Sequence, residues 1–194
     1  PVTTVTTVAT VMKITRIRAL RGPNLWTRST AIEAIVHCDD HEHDYTTLAG
    51  FEERLRARFP TVGALHPRGT ESRRSLAHVL QVAALQLQAQ AGCVVTFSRT
   101  HATVEPGTYQ VVVEYTEEAV GLQALQQAAL LIDAALADTP FEAQNVLAQL
   151  RELDEDERIG PSTGAIVEAA LARGIPVRRL TSGSLVQLGW GSKA

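Results

Sequence analysis

Apolar and polar positions alternate along Met12–Leu20, "MKITRIRAL", where Arg16 and Arg18 lie between Ile14 and Leu20. A period of two residues predicts a strand with one polar face. The breakers Gly22, Pro23 and Asn24 follow, and "AIEAIVHC" then reads as a second strand, near enough to the first for a hairpin. After Thr46 or Thr47 the period becomes helical: Leu48, Phe51, Leu55 and Phe59 form an apolar stripe, and Pro60 ends it. Residues 60–74 are expected to be loop.

The clearest helix is "SLAHVLQVAALQLQAQAG", with Ser75 placed to cap its start and Gly92 in the position of a left-handed C-cap. Strands are expected over "CVVTFSRTHATV" and "YQVVVEY", joined by "EPGT", where Pro106 and Gly107 stand in the order that a tight turn requires. A long helix covers about 117–137, and a second runs from Phe141 to about Glu155, with Pro140 between them. The order ββααββα predicts an α+β sandwich, with helices packed on one face of a mainly antiparallel sheet.

After Gly160 and Pro161 the pattern restarts. "STGAIVEAALARGIP" is a short helix with Ser162 or Thr163 as its cap and Gly174 as its stop, and "PVRRLT" and "SLVQLGW" read as two strands. Residues 12–157 are therefore expected to form one domain, and 158–194 the first helix and hairpin of another. Residues 1–11, "PVTTVTTVATV", precede the only methionine and are expected to be a disordered extension of little function.

Composition narrows the classes. Of the 194 residues 45% are hydrophobic and 20% charged, as in a globular domain. No stretch is expected to span a bilayer, because "ALQQAALLIDAALA" is interrupted by Gln126, Gln127 and Asp133, and the first residues lack the basic start of a signal peptide. A net charge of −3 gives no footprint for nucleic acid. Cys38 and Cys93 are far apart and outside any metal or redox spacing, so two free thiols in a reducing compartment are expected.

Charge is unevenly placed. Residues 12–74 hold Lys13 and ten arginines, among them Arg16, Arg18, Arg21, Arg28, Arg54, Arg56 and Arg58. Residues 105–157 hold one basic residue, Arg151, against a dozen acids that end in "ELDEDE". Solvated faces explain such a division simply; separate basic and acidic patches for a ligand of both signs are the sharper alternative.

Several stretches invite chemistry. "HCDDHEHD" gathers His37, Cys38, Asp39, Asp40, His41, Glu42, His43 and Asp44, but consecutive ligands at the end of a strand have no spacing that makes them converge, and a polar loop is the simpler reading. "GWGSK" lacks the spacing of a phosphate-binding Walker loop. No G-x-S-x-G elbow supports a Ser-His-Asp triad. In "GPSTG", a serine and a threonine open a helix where backbone N–H groups are free, an arrangement that suits a carboxylate or phosphate as well as an ordinary cap.

His78-Val79-Leu80-Gln81-Val82 has the frame of the inverted zinc motif H-x-x-E-H, in which two histidines four apart bind zinc and the glutamate acts as base. Here Gln81 cannot take a proton and Val82 cannot bind a metal. His78 is most simply a histidine at the edge of the core, and no metal is expected.

The segments "ITRIRALRGPNLWTRSTAIEAIV", "TVEPGTYQVVVEYTEEAVG" and "GPSTGAIVEAALARGIPVRRL", followed by "SLVQLGWGSKA", resemble the cyanophycin synthetase family from Met12 to Ala194. The resemblance implies an N-terminal domain followed by the entry into an ATP-grasp domain. That family joins aspartate and arginine into cyanophycin, a zwitterionic storage polymer. Its ATP-grasp domain phosphorylates the terminal carboxylate of the chain, and the amine of the incoming aspartate displaces the phosphate. A Mur-ligase-like domain adds arginine, and a related branch joins aspartyl-arginine dipeptides instead.

By the same resemblance, the N-terminal domain helps to hold the polymer, arginines meeting its carboxylates and acids its guanidinium groups. Ser162 and Thr163 are implied to hold the carboxylate of the polymer end. Some members keep an intact H-x-x-E-H and cut polymer into primers; the departures at Gln81 and Val82 predict no such hydrolysis here. These residues alone are expected to be catalytically silent, with ATP and Mg belonging to the full-length enzyme, which is expected to be a cytoplasmic homo-oligomer. A stand-alone module that binds the polymer is the alternative, and a degenerate zinc hydrolase a more distant one.

Overall fold

A bulge at Thr15 decides which face of the first strand is polar. Between β1 (Met12–Leu20) and β2 (Ala31–Cys38) the register shifts from Ile14 opposite Val36 to Arg16 opposite Ile35. Strict alternation would set Ile14, Arg16 and Arg18 on one face. The extra residue sends Ile14 to the core and Lys13, Arg16 and Arg18 to the opposite face.

The computed structural model describes residues 12–38, 44–65, 74–181 and 183–190. The extension expected over 1–11 lies outside these residues, as do Asp39 to His43 of the polar loop and the last four residues. Two hairpins, β1–β2 and β3 (Ser98–Ala102) with β4 (Thr108–Glu114), join through β2 and β4 into one antiparallel sheet of order β1-β2-β4-β3. Gly107, at φ 74°, supplies the left-handed turn between β3 and β4, and the Thr108 N–H closes it onto the Glu105 carbonyl at 3.1 Å.

Helices α1 (Phe51–Arg58), α2 (Leu76–Ala91) and α3 (Glu118–Ala137) form the second layer, and α4 (Ala143–Glu157) packs on α2 and α3. The core lies between the layers: Ile32, Ala34 and Val36 of β2 and Val111 and Val113 of β4 meet Leu80, Leu87, Leu125 and Ile132. Ser75 caps α2 by accepting from the His78 N–H, and Gly92 ends it at φ 106°, as the sequence predicts. On α3, Gly121 is buried against Tyr115; a β-carbon there would stand 2.7 Å from the Tyr115 Cβ.

Some boundaries differ from expectation. Cys93 to Phe97 form no strand, because the Glu114 carboxylate takes the N–H groups of Thr96 and Phe97, each at 2.8 Å, in place of a strand partner. Tyr45–Thr47 is a short 3-10 turn, and α1 begins only after Gly50, whose φ of 68° separates the two. Helix α3 is long and apolar enough, by length and composition, to cross a membrane, contrary to expectation: two acids and three glutamines lower its mean hydropathy too little. Half of that stretch is buried in the protein, against α1, α2, α4 and β2.

Beyond α4, α5 (Pro161–Ala172) leads into a hairpin of β5 (Val177–Arg179) and β6 (Val186–Leu188). Only Ala170 of α5 is buried, and Ile166, Leu185 and Trp190 are 57%, 58% and 68% exposed.

Candidate functional site

The sheet face turned away from the helices is polar and basic. Its cross-strand rows are Lys13–His37–Thr108, Arg16–Ile35–Gln110–His101 and Arg18–Glu33–Val112–Arg99. Lys13, Arg16, Arg18, Arg99 and His101 are exposed, whereas Glu33 and Val112 are buried. The loop between β1 and β2 folds back over this face: the Trp26 ring stands 6.3 Å from that of His101 on the far edge strand. Asn24 braces the loop, its Oδ1 accepting from the N–H groups of Trp26 and Thr27 and its Nδ2 donating to the carbonyls of Gly22 and Ser29.

Glu33 is the buried carboxylate of that face. It accepts from Arg18 Nε and from Gln110 Nε2. Burial pushes its pKa up, but those hydrogen bonds and the charges of Arg18 and Arg16 outweigh burial and hold it below the ordinary value.

Many of the other arginines serve the fold. Arg54 Nε donates to the Ala135 carbonyl and Arg58 Nε to that of Thr139, both at 2.6 Å, closing the carbonyl end of α3. Arg58 also pairs with Asp138, and Arg56 with Glu52, each at 2.9 Å. Arg21 grips Glu118 with two nitrogens. Lys13, Arg16, Arg28 and Arg99 have no ion-pair partner among the described residues. The acids are concentrated on the helical side, where α4 exposes Glu152, Glu155 and Asp156.

A cleft of about 480 Å³ lies where the hairpin meets the sandwich, with Arg21, Tyr115, Glu117, Glu118, Glu157 and Arg179 in its lining. Arg179 Nη1 donates to the Glu117 carboxylate and to the Glu157 carbonyl, both at 2.7 Å. Burial keeps the Glu117 carboxyl above its ordinary pKa; Arg179 opposes this, while the Asp154 and Glu157 carboxylates reinforce it. Burial, helped by Glu118, pushes the Tyr115 phenol up to about 12.

Ser162 and Thr163 do not line this cleft. The helix cap is Gly160, with Pro161 at the first helical position, so neither hydroxyl caps the helix as the sequence predicts. Proline sets the first turn by its fixed φ, which leaves Ser162 and Thr163 inside that turn. Ser162 is exposed and Thr163 half-buried, and helical geometry leaves both N–H groups without a partner inside the helix.

His78 and Val82 lie one turn apart on α2, a helix that packs against β3. Gln81 bridges the two elements: its Nε2 donates to Ser98 Oγ at 2.9 Å, and its Oε1 accepts from Thr100 Oγ1 at 2.6 Å. Burial holds His78 below the ordinary imidazole range, and its Nε2 is buried without a hydrogen-bond partner. No cluster of three His, Cys, Asp or Glu that could hold a metal occurs among the described residues. Cys38 and Cys93 are both buried, and neither forms a disulfide.

Sequence reasoning missed Trp26, Glu33 and Arg179. The first two carried a signal, an aromatic beside turn residues and a lone acid inside an apolar strand. Arg179 carried none.

Together these features define a two-layer α+β domain with a basic sheet face and an acidic helical side, joined to a helix and hairpin. The chain belongs to the cyanophycin synthase-like N-terminal domain family, whose pattern its residues 34–137 match. It is 34% identical over 192 residues to the cyanophycin synthetase of Trichormus variabilis, covering 91% of this chain and 21% of the relative. It is 33% identical over 193 residues to that of Geminocystis herdmanii, at 91% and 22% coverage. The Synechocystis enzyme is 34% identical over 189 residues, at 89% and 21%. The chain thus spans about a fifth of the length of these relatives.

Proposed function

We propose that this chain is the N-terminal part of an ATP-dependent ligase that polymerises aspartate and arginine into cyanophycin, and that this part helps to hold the polymer. The observation that carries the reading is a 34% identity to a cyanophycin synthetase over 91% of this chain. The separation of charge supports the holding role: a polymer bearing carboxylates and guanidinium groups meets cations on the sheet face and acids on α4. Residues 158–194 open the ATP-grasp domain in this reading.

Ser162 and Thr163 hold the carboxylate of the polymer end through hydroxyls and the free N–H groups of the first turn of α5. ATP and Mg serve the full-length enzyme; no residue of this chain is assigned to them, and no catalytic residue either. The enzyme works in the cytoplasm as a homo-oligomer.

The test is sedimentation of this chain with soluble cyanophycin at rising salt. Binding that weakens steadily with ionic strength is expected; absence of binding at low salt would overturn the holding role. In the full-length synthetase, Ser162→Ala with Thr163→Val is expected to raise the KM for primer. An unchanged KM removes those two residues from the site.

A further inference from the structure

We propose that the cleft between the terminal hairpin and the sandwich binds one free α-amino acid as its zwitterion, with the carboxylate toward Arg178 and the first turn of α3 and the ammonium toward Glu157. The charges of the lining carry this. Three arginines and three glutamates face the cleft. Two pairs satisfy themselves, Arg21 with Glu118 and Arg179 with Glu117. One cation, Arg178, and one carboxylate, Glu157, are left over. Neither has an ion-pair partner among the described residues, and they do not pair with each other although they line the same cleft.

A hydroxyl is left over as well. Tyr115 lines the cleft and is only 5% exposed, yet its hydroxyl has no hydrogen-bond partner among the described residues. The side chain cannot easily turn away, because its Cβ and Cγ pack on Gly121 of α3. The charges of Glu118, Arg21 and Glu117 all act on the phenol, which places it among the charged groups of the lining. A shielded hydroxyl without a partner forgoes a hydrogen bond that a ligand can supply. Helix α3 also opens on this cleft, through Glu117, Glu118 and Ala119, and has no side-chain cap, so the N–H groups of its first turn are available to a carboxylate. A volume of about 480 Å³ is that of a small-molecule site and admits one amino acid. An arginine with helix N–H groups suits the carboxylate of such a ligand, and a glutamate suits its ammonium.

The probes are L-aspartate and L-arginine, a choice that rests on the proposed polymerisation of these two amino acids. Isothermal titration calorimetry of this chain is expected to show one site for at least one of them, with a Kd of about 1 mM or below. Arg178→Gln and Glu157→Gln should each weaken binding about tenfold, and Tyr115→Phe about threefold. Tyr115→Phe removes a hydroxyl that has no partner in the protein, so its melting temperature should match the wild type and unfolding cannot explain its loss of binding. Glu168→Gln, which removes an exposed acid from α5, should leave the affinity unchanged. Binding of neither amino acid, or binding that all three cleft substitutions leave intact, would overturn the proposal. Soluble cyanophycin separates this site from the holding role: polymer binding that the three substitutions do not affect, alongside amino-acid binding that they weaken, is the expected pattern. Loss of polymer binding in these variants, with no binding of either free amino acid, would give the cleft to the polymer and overturn this site alone. Failure of the polymer and both amino acids to bind would overturn both readings.

Discussion

Arg179 on β5 reaches Glu117 at the head of α3, Nη1 to carboxylate, at 2.7 Å, and thereby ties the terminal hairpin to the sandwich. Both side chains are largely shielded, 22% and 16% exposed. Removing the cation leaves a carboxylate in a poor place for a charge, beside Asp154 and Glu157. Arg179→Ala is expected to cost about 1–3 kcal/mol at pH 7, and Glu117→Gln less than about 1 kcal/mol.

The sign with pH follows. The folded-state pKa of Glu117 is raised, so this group favours folding most below its unfolded value near 4, and that contribution is lost as pH rises through the folded value. The Arg179→Ala defect should therefore shrink toward pH 4. Urea unfolding of both variants at pH 4 and 7 checks this; a defect that grows on acidification would contradict the buried-charge account.

Glu33 has the opposite sign. Its pKa is lowered in the folded protein, so its stabilisation is present above the unfolded value and is lost as pH falls through the folded one. Glu33→Gln is expected to cost about 1–2 kcal/mol at pH 7. It should also flatten the decline of the urea midpoint between pH 5 and pH 3. If wild type and variant decline in parallel, Arg18 and Gln110 do not hold an ionised Glu33.

Local signals carried most of the elements. Ser75 and Gly92 bound α2 because caps act within a turn of the chain, and Pro106-Gly107 marks a hairpin because a turn needs only four residues. What sequence could not show depends on partners far along the chain. The bulge at Thr15 is a property of the pairing of β1 with β2, where the register passes from Ile14 opposite Val36 to Arg16 opposite Ile35. The strand expected from Cys93 begins only at Ser98, since the carboxylate of Glu114 takes the earlier N–H groups. The candidate site was legible as an imbalance of charge, not as a surface. Arg54, Arg56 and Arg58 look like ligand residues by composition, yet they bind the α3 end and helix neighbours.

Gly121 shows how tightly α3 is set against the sheet. An alanine there would place its Cβ 2.7 Å from Tyr115 Cβ and 3.2 Å from Ile32 Cγ1. Helix propensity would favour alanine by about 1 kcal/mol, but crowding at this contact is expected to cost about 1–3 kcal/mol. Gly121→Ala should lower the melting temperature by a few degrees, roughly 2–4 °C per kcal/mol lost. A higher melting temperature would mean that α3 can move off Tyr115 freely.

Gln81 decides between a structural and a catalytic use of α2. Its amide is occupied at both ends, by Ser98 and by Thr100, so it joins α2 to β3 where the hydrolytic motif would place a base. An amide does not accept a proton near neutral pH, and Val82, one turn along α2 from His78, offers no lone pair to a metal. Zinc-treated protein is therefore expected to leave the chain length of soluble cyanophycin unchanged, as judged by gel electrophoresis of the polymer. Gln81→Leu should instead lower stability by about 1–2 kcal/mol, because two hydroxyls lose their partner at a shielded contact. Shortening of the polymer that a chelator abolishes would overturn the structural role, and an unchanged melting temperature for Gln81→Leu would show that the bridge to β3 contributes nothing.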